Sequence, residues 1–340
     1  MTADAAPTCP DPAVLPSALC VLGLGLIGGS LVRAAKPHLP VFGWSPSQTT
    51  RTAAANDGYQ VDSTLAASLR RAVDADALVV LAAPVTAFPA MLRSIEELAP
   101  TVRLTDVAGV KAQVHEDVAA LAPRTRFVGS HPMAGTAESG WPAGSASLFR
   151  GAAWVTTLTD DTAVRDWLAV AGLALTLGSR VVPTEPEAHD VAVARISHLP
   201  HLLALALAQV GDQGGSLALS LAASSFADGT RVAGTRPPLI RAMCETNRSA
   251  LVDAVDDALG ILGVARGSLA STGSLTKLTD AGHDARTRFD RRGTDLSEVT
   301  LDGEDLVDQL LAVGAAGGHV SAVRLTDTGP SVTAWYPDED

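Results

Sequence analysis

The sequence predicts an α/β Rossmann-type N-terminal domain with a parallel-rich sheet, followed by an all-helical domain and a small α/β C-terminal tail. Short apolar runs alternate with amphipathic segments in the first half, which is the pattern of a parallel sheet with crossover helices. From Glu185 to about Ala270 the chain is almost unbroken helix former. After about Val299 the pattern reads strand, helix, strand, turn and strand. These three regions define the predicted domains.

The predicted strands of the first domain are short apolar runs separated by helical patterns, such as Leu65–Ala72 and Val110–Leu121. The strands are Ala18–Leu22, Val41–Trp44, Ala77–Ala82, Arg103–Val107, Phe127–Gly129, Ala153–Leu158 and Ser179–Val182. They place the dinucleotide-binding domain at residues 18–183. Residues 1–17 are acidic and proline-rich and lack the basic start and apolar core of a signal peptide. We expect them to form a disordered leader.

The helical domain is predicted at residues 184–292. Stretches such as "HLLALALAQVG" are apolar around the whole helix, which indicates burial against other helices or a partner subunit. The sequence therefore predicts a homodimer formed through this domain. The tail, residues 298–336, is shorter than a complete regulatory module, and we expect it to pack on the helical domain.

Composition narrows the class of protein. The 340 residues carry a net charge of −12, which argues against nucleic acid or an anionic membrane surface as the main partner. No apolar run reaches the roughly 20 residues that a bilayer requires. The cysteines Cys9, Cys20 and Cys244 are odd in number and far apart, which is typical of a reducing compartment and of a protein without a metal site. We therefore predict a cytoplasmic protein.

A glycine loop follows the first predicted strand in "ALCVLGLGLIGGSLVRAA". Gly23, Gly25 and Gly28 have the G-x-G-x-x-G spacing that allows a tight turn, close approach of a pyrophosphate, and helix–strand packing. The N-terminus of the next helix would stabilise the phosphate charge. We predict that a dinucleotide contacts these glycines together with Leu26 and Ile27.

The end of the second predicted strand distinguishes NAD from NADP. An acidic residue there would bind the ribose 2′-hydroxyl of NAD, whereas an arginine would favour NADP. The chain reads "GWSPSQTTR", with Ser45 in the acidic position and Ser47 and Arg51 able to bind a phosphate. The prediction is NAD, with NADP tolerated and Ser45 in contact with the cofactor.

Three further segments carry chemistry. The first is "LTDVAGVKAQV", Leu104–Val114, at the end of a strand, where parallel sheets bind ligands. The second is "GSHPMAGTAESGW", Gly129–Trp141, whose glycines, serine and threonine predict a tight loop. The third is "EAHDVAVARISHLPHLLA", which places His189, Ser197, His198 and His201 on a helix.

Together these segments closely resemble the prephenate/arogenate dehydrogenase family of tyrosine biosynthesis. The glycine loop, Asp-Val-x-x-x-Lys, Gly-x-His-Pro-Met-Ala-Gly-Thr, Ile-Ser-His-Leu-Pro-His and Asp-x-Thr-Arg-Val-Ala occur here in the family's order, the last as "DGTRVAG" from Asp228 to Gly234. The resemblance covers about Cys20 to Arg288. It implies oxidative decarboxylation of prephenate to 4-hydroxyphenylpyruvate, with hydride transfer to NAD(P)+.

The resemblance assigns roles to particular residues. The substrate hydroxyl that becomes a carbonyl needs an acceptor with a pKa near neutral, and His131 is the predicted catalytic residue. Arg231 should hold a substrate carboxylate, because a guanidinium binds that group with two hydrogen bonds. His201, with Ser197, is expected to bind the substrate from the other wall of a cleft between the domains. Thr136 is expected to contact substrate or cofactor.

Other residues of the same segments are expected to have supporting roles. Asp106 is predicted among the cofactor-binding residues, and with Lys111 it should support the cofactor-side loop. Trp141 should anchor the loop by packing. His189 is expected to cap a helix or to make an interdomain contact. His198 is expected to bond backbone near Pro200.

The sequence departs from the family at two positions. Gly109 replaces a serine that is thought to help bind the hydroxyl or the histidine, so that backbone or water would have to orient His131 instead. A glutamate that some relatives carry after the loop threonine is also absent, because Ala137 stands there and Glu138 follows.

Three alternative functions stay open from the sequence. Arogenate differs from prephenate only in an amino group in place of the keto group, and the chain could be an arogenate dehydrogenase. A β-hydroxyacid dehydrogenase needs a catalytic lysine on its helical domain, for which Lys277 is poorly placed. A non-catalytic dinucleotide-sensing protein is disfavoured by the acidic charge, although Gly109 is compatible with it.

Overall fold

The structure, a computed structural model, describes residues 11–136 and 138–337. Cys9 and Ala137, which were singled out in the sequence, lie outside the described residues. The chain forms two compact units. The first contains the described residues up to His189 together with those from Asp295 onward, and the second is Asp190–Thr294.

The first unit contains a six-stranded parallel sheet with the order β3-β2-β1-β4-β5-β6. Strands β1 and β4 are wholly buried, as expected where helices cover both faces of a parallel sheet. The strand order reverses between β1 and β4, and open parallel sheets bind ligands at such a point. The strands are β1 Leu19–Leu22, β2 Val41–Trp44, β3 Gln60–Val61, β4 Leu78–Leu81, β5 Arg103–Asp106 and β6 Arg126–Val128.

Five helices connect these strands, in the alternation that the sequence predicts for a Rossmann domain. They are α1 Leu26–Ala35, α2 Gln48–Asn56, α3 Leu65–Asp74, α4 Phe88–Leu98 and α5 Ala112–Leu121. Helices α2 and α3 each begin after a hydroxyl side chain, Ser47 or Thr64, that accepts a hydrogen bond from a backbone N–H of the first turn. These caps satisfy N–H groups that have no partner within the helix.

The chain then passes from the first sheet to a second one at Gly129. Strand β7, Ser130–Pro132, pairs antiparallel with β8, Ala153–Thr157. Helix α6, Val164–Thr176, leads to β9, Arg180–Thr184, which pairs parallel with β8. The short strands β3 and β7 were not predicted from the sequence, which indicated a tight loop where β7 lies.

The second unit is entirely helical, as predicted. Its core is small and contains the buried residues Ala194, Ile240, Cys244, Leu251 and Ala254. The helical elements are α7 Pro186–Val193, a π-helical turn Ala194–His198, α8 Leu199–Gln213, α9 Gly215–Ser220, α10 Ser224–Thr230, a 3-10 turn Arg231–Gly234, α11 Pro237–Thr246, α12 Arg248–Ser271 and α13 Thr276–Asp290. Helix α7 begins in the first unit, whose first segment ends at His189, and the second unit begins at Asp190 within the same helix.

The π-helical turn has a cause in the sequence. Pro200 lies in the first turn of α8 and has no N–H to donate to the preceding turn. A wider turn over Ala194–His198 accommodates this break without ending the helix. The Ser-His-Leu-Pro-His segment therefore begins in a π-turn and continues into α8.

One helical segment passes the length and composition test for a membrane span. Pro186–Gln213 has 28 residues and contains an 18-residue window of mean hydropathy 1.5, of which 22% is buried. The sequence expectation that no apolar segment is long enough therefore does not hold for this helix. A helix that packs on another protein surface can be equally long and apolar, because an apolar face can contact either lipid or protein.

The C-terminal tail completes the second sheet of the first unit. Its elements are β10 Leu296–Leu301, α14 Leu306–Ala315, β11 His319–Thr326 and β12 Gly329–Pro337. The sheet order is β10-β12-β11-β9-β8-β7, with Val320 of β11 opposite Val181 of β9. Leu310 and Val332 are fully buried in the same core cluster as Val181. The predicted sequence of elements is confirmed.

The expected position of the tail is wrong, because its residues belong to the first unit and not to the helical one. A Cβ atom on Gly314 would lie only 1.7 Å from the backbone oxygen of Pro183, so α14 packs directly against β9. The pairing of β11 with β9 joins residues about 140 positions apart in the chain. Neither contact has a local signature in the sequence.

The predicted disordered leader is also wrong from residue 11 onward, and residues 1–10 lie outside the described residues. Pro12–Val14 form a 3-10 turn, and Val14 is buried in the core of the first unit. Asp11 accepts hydrogen bonds from the backbone N–H groups of Ala13 and Leu325, at 2.9 and 3.3 Å. These bonds lower the pKa of Asp11 and tie the leader to the tail.

Candidate active site

The loop between β1 and α1 has the geometry that the glycine motif predicts. Gly23 has a φ of +118°, and a Cβ atom there would lie 2.4 Å from the backbone oxygen of Ala82. A Cβ atom on Gly28 would lie 1.8 Å from the oxygen of Gly23. Both positions therefore require glycine, the first for a tight turn and the second for close packing of α1.

Gly25 differs from these two glycines. It is the N-cap of α1, and a Cβ atom built on it would have no heavy atom within 4 Å. Among the described residues no side chain caps this helix. The backbone N–H groups of Leu26 and Ile27 lie in the first turn, at the positive end of the ten-residue helix. This opening fits the diphosphate of a dinucleotide.

We predict that Gly25→Ala weakens nucleotide binding without weakening the fold. The added methyl group meets no protein atom, so the melting temperature should stay within about 2 °C of the original. The same methyl group occupies the space of the diphosphate, and we expect the Kd for NAD+ to rise about tenfold or more, which corresponds to roughly 1.4 kcal/mol. Fluorescence titration and thermal unfolding measure the two effects.

The matched control is Gly260→Ala, since Gly260 also has open space around its Cβ position but lies on α12. Its Kd for NAD+ should equal that of the original protein. An unchanged Kd for Gly25→Ala would remove the glycine loop from the nucleotide site.

The turn after β2 is built from the residues that the sequence analysis weighed for cofactor choice. Ser45 is only 6% exposed, and its hydroxyl accepts a 3.4 Å hydrogen bond from the N–H of Ser47. Arg51 folds over this turn, with Nη1 2.6 Å from the oxygen of Ser45 and 3.0 Å from that of Pro46. The structure therefore places the Arg51 guanidinium directly over the turn at the end of β2.

A buried ion pair lies at the carboxyl end of β5. Asp106 and Lys111 are both fully buried and in direct contact. The Asp106 carboxylate also accepts from the backbone N–H groups of Ala108, at 2.9 Å, and Ser130, at 3.0 Å. The Lys111 ammonium donates to the backbone oxygen of Ser130 at 2.7 Å. The pair thus connects β5, the following loop and β7.

The Asp106 carboxylate is therefore directed into the protein, and its contact with a bound cofactor stays a prediction. These bonds agree with the supporting role that the sequence assigned to Asp106 and Lys111. Fixing Ser130 also fixes the residue that follows it on β7.

That residue is His131, for which the sequence predicted a tight loop. In the structure it lies on a strand, opposite Val155 of β8. A Cβ atom on Gly129 would lie 2.5 Å from Oγ1 of Thr157, so only glycine lets the chain cross between the two sheets there. Because parallel strands end at one edge of the sheet, the bonds from Asp106 to Ser130 place His131 near the edge that carries the glycine loop.

His189 is a neighbour of His131 that the sequence analysis did not assign to the site. Nδ1 of His131 lies 2.9 Å from Nε2 of His189, which is only 2% exposed. Their 58-residue separation gives no local pattern that could have revealed the contact. The one available signal was a histidine on the same helical segment as the Ser-His-Leu-Pro-His motif.

Gly109 lies on another side of the His131 ring. A Cβ atom at this position would be 3.7 Å from both Cε1 and Nε2 of His131, which is ordinary van der Waals contact. A serine would therefore fit and would bring its hydroxyl close to Nε2. The glycine leaves that space open.

Trp141 anchors the segment that follows β7, as the sequence predicts. Its Nε1 donates to Oδ2 of Asp57 at 2.7 Å, and its ring is 3% exposed. The Arg33 guanidinium lies 3.6 Å from the ring centroid, and Tyr59 meets the ring edge-on at 5.2 Å. Thr136 is exposed within this segment, and its hydroxyl accepts a 3.3 Å bond from the N–H of Glu138.

The remaining predicted site residues lie on the helical unit. His201 donates from Nδ1 to the backbone oxygen of Ser197 at 2.8 Å, so in the neutral ring Nε2 carries the lone pair. The Ser197 hydroxyl lies 3.9 Å from Sδ of Met243. His198 is buried and contacts the Asn247 side chain at 3.2 Å, and the backbone partner expected for it stays a prediction.

Arg231 begins the 3-10 turn Arg231–Gly234 and is exposed. Among residues 11–136 and 138–337 it makes no ion pair, whereas Arg195 of the same unit pairs with Asp257 at 2.8 Å. Because it is exposed and makes no ion pair among the described residues, the Arg231 guanidinium is available to bind an anionic group.

A Rossmann sheet with a glycine loop after its first strand, together with a histidine held near the same edge, defines an NAD(P)-dependent dehydrogenase. Comparison with known proteins narrows the class. Residues 28–182 match the family model described as prephenate dehydrogenase, nucleotide-binding domain. Residues 185–263 match the model described as prephenate dehydrogenase, dimerization domain.

Individual relatives agree with these models. A prephenate dehydrogenase of Bacillus subtilis is 33% identical over 254 residues, which are 70% of this chain and 66% of that protein. The crystal structure of a candidate prephenate dehydrogenase from Corynebacterium glutamicum is 42% identical, with a TM-score of 0.84, and the match covers 91% of this chain and 99% of the other.

The crystal structure of Synechocystis arogenate dehydrogenase is 30% identical, with a TM-score of 0.70, over 80% of this chain and 99% of the other. The chain belongs to the prephenate dehydrogenase family. The family and the fold class predicted from the sequence are thereby confirmed.

Proposed function

We propose that this protein oxidises prephenate to 4-hydroxyphenylpyruvate in tyrosine biosynthesis. The observation that carries the proposal is the position of His131, which β7 and the Asp106–Lys111 pair hold near the edge of the nucleotide-binding sheet. A bound NAD+ or NADP+ supplies the acceptor for the hydride that leaves C4 of the substrate. The family membership described above supports the same reaction.

The proposed roles of the protein residues follow from the substrate's chemistry. His131 accepts the C4 hydroxyl proton as the hydride leaves, so that a carbonyl forms at C4. The bond from the ring to its carboxylate then breaks, CO2 departs, and the electron pair enters the ring to make it aromatic. His131 returns its proton to the resulting phenolate oxygen, which leaves the residue ready for another turnover.

The substrate-binding residues are proposed from the helical unit and from the segment after β7. Arg231 binds a substrate carboxylate, and His201 and Ser197 contact the substrate beside it. Thr136 contacts substrate or cofactor. Exposure of Arg231 and Thr136 and the fixed orientation of His201 support these roles.

Arogenate is a second candidate substrate, favoured by the similarity to the Synechocystis arogenate dehydrogenase. It differs from prephenate only where an amino group replaces the keto group of the side chain. The reacting ring is the same, so the proposed role of His131 is unchanged. The product would then be tyrosine itself.

We propose NAD as the cofactor with NADP accepted. The diphosphate site formed by Gly23, Gly25 and Gly28 serves both nucleotides. Ser45 at the end of β2 brings no negative charge to repel a 2′-phosphate, and Arg51 lies over the same turn.

The apolar surface of the helical unit supports a homodimer. Four large apolar side chains of this unit are each at least 69% exposed: Ile196, Leu217, Leu221 and Val264. Residues 185–263 also match the family's dimerization domain. A second copy of the chain would cover this surface, including the apolar face of Pro186–Gln213. With that face covered, the protein is proposed to act as a soluble cytoplasmic enzyme.

Gly109→Ser is expected to raise turnover. A serine fits because its Cβ atom would lie 3.7 Å from Nε2 of His131, and its hydroxyl would bond the substrate hydroxyl that meets Nε2. One added hydrogen bond of about 0.5–1.5 kcal/mol corresponds to a roughly two- to tenfold increase in kcat. Steady-state kinetics measure the change in kcat, with Gly109→Ala as the control that adds the Cβ atom alone. Equal kcat values for the serine and alanine variants would contradict the expectation.

Arg231→Gln is expected to raise the KM for prephenate about 10- to 100-fold, because a charge-assisted hydrogen bond of roughly 1.5–3 kcal/mol to a carboxylate is lost. The kcat should change by less than about threefold, since Arg231 binds the substrate equally before and during the reaction. Arg266→Gln, an exposed arginine on α12, is the control. If both variants give the same KM, Arg231 does not bind the substrate.

The experiment that tests the proposed function combines purified protein with prephenate or arogenate and with NAD+ or NADP+. Reduced nucleotide is followed by absorbance in all four mixtures. The proposal expects turnover with prephenate and NAD+, and turnover with arogenate alone would select the second substrate. No turnover in any mixture would refute the dehydrogenase function.

A further inference from the structure

The contact between His131 and His189 supports one further inference, which rests on the proposed function. The two rings meet edge to face, with an interplanar angle of 75° and centroids 5.1 Å apart. The short distance, 2.9 Å, joins Nδ1 of His131 to Nε2 of His189. His189 lies on α7 and is almost fully buried, so its ring is held in one position.

A hydrogen bond between two imidazole nitrogens requires a proton on one of them and a lone pair on the other. If the proton is on Nδ1 of His131, then Nε2 of a neutral His131 carries a lone pair. If the proton is on Nε2 of His189, then His131 accepts at Nδ1 and a neutral ring must carry its own proton on Nε2. Only the first arrangement provides a base at Nε2.

The surroundings of the ring indicate which nitrogen meets the substrate. The Nδ1 side is occupied by His189, whereas the Nε2 side faces Gly109, where even an added Cβ atom would be 3.7 Å away. We propose that His189 is a positioning residue that keeps the His131 proton on Nδ1 and so presents the Nε2 lone pair to the substrate hydroxyl. His189 itself touches neither substrate nor cofactor.

This arrangement remains compatible with each stage of the proton transfer. When His131 accepts a proton at Nε2, its Nδ1–H continues to donate to His189, so the ring does not turn during the reaction. A neutral imidazole acceptor also adds no negative charge near a substrate that carries carboxylates. His189 thus takes the orienting role that the sequence analysis left to backbone or water when Gly109 replaced the family serine.

The most direct test is the tautomer of His131, read from the ring nitrogen shifts of 15N-histidine-labelled protein without substrate at pH 8. Comparison with His131→Asn assigns the signals. We expect the proton on Nδ1 in the original protein. We expect His189→Leu to move it to Nε2, and His189→Gln to keep it on Nδ1, because the glutamine oxygen can accept at the same position.

Kinetics with prephenate and NAD+ provide the second readout. His189→Leu should lower kcat about 10- to 100-fold with KM within about twofold, a size typical of residues that orient a functional histidine. His189→Gln should recover kcat to within about fivefold of the original. His283→Leu, an exposed histidine on α13, should change neither the tautomer nor kcat.

Three results would overturn the inference: a proton on Nε2 of His131 in the original protein, an unchanged tautomer and kcat in His189→Leu, or equal losses in the leucine and glutamine variants. If His189→Leu does not fold, the inference is still tested by the His131 tautomer of the original protein and by the tautomer and kcat of His189→Gln. Failure of the proposed function would appear separately, as absence of turnover by the original protein, because the tautomer is measured without catalysis.

Discussion

Replacing His131 with asparagine is expected to lower kcat for prephenate by about 10²- to 10⁴-fold, the usual contribution of a general base. Asparagine can still form hydrogen bonds at this place on β7, but it cannot take up the hydroxyl proton. Substrate binding by Arg231 and His201 is left in place, so KM should change by less than about threefold. A large fall in kcat with a nearly unchanged KM would show that His131 acts in proton transfer and not in substrate binding.

Steady-state kinetics and a titration with NAD+ measure these effects. His38→Asn, a change of an exposed histidine in the same unit, is the matched control and should leave both kcat and KM unchanged. The Kd for NAD+ should be the same in all three proteins, since the diphosphate site is formed by the loop after β1. A His131→Asn variant with more than about half the original kcat would exclude His131 as the base.

The second large effect concerns stability. Lys111→Met should lower the free energy of unfolding by about 3–5 kcal/mol, because it leaves the carboxylate of Asp106 buried and without its cation. It also removes the donor to the backbone oxygen of Ser130. Urea unfolding at a fixed protein concentration measures the change.

Lys277→Met makes the same substitution on the exposed surface of α13 and should change stability by less than about 0.5 kcal/mol. The double variant Asp106→Asn with Lys111→Met removes the buried charge and should be more stable than Lys111→Met alone. A double variant less stable than that single variant would show that the lost backbone contacts, and not the uncompensated charge, determine the effect.

Apart from the two-residue β3, the strands of the first sheet could be predicted to within two residues, because their buried positions form short apolar runs. β1 and β4 are examples, at Leu19–Leu22 and Leu78–Leu81, and both are buried along their whole length. β7 could not be predicted, since its residues Ser130–Pro132 form no apolar run. Its backbone is extended because it pairs with β8, and that partner is set by the fold.

In the site, too, the features formed by neighbouring residues could be predicted, whereas contacts between residues far apart in the sequence could not. The motif containing His131 and the glycine loop are continuous in the sequence, and both could be recognised there. The His189 contact and the bonds from Asp106 to Ser130 depend on pairs 58 and 24 positions apart. Such contacts decide how His131 is oriented, and only the structure reveals them.

The measurement that tests the central claim most directly is the ratio of CO2 released to nucleotide reduced, with prephenate labelled in the ring carboxylate. Hydride loss from C4 and loss of the carboxylate belong to a single conversion in the proposed reaction. One mole of labelled CO2 should therefore form for each mole of NADH at every time point. Reduction of NAD+ without release of labelled CO2 would contradict the proposed oxidative decarboxylation.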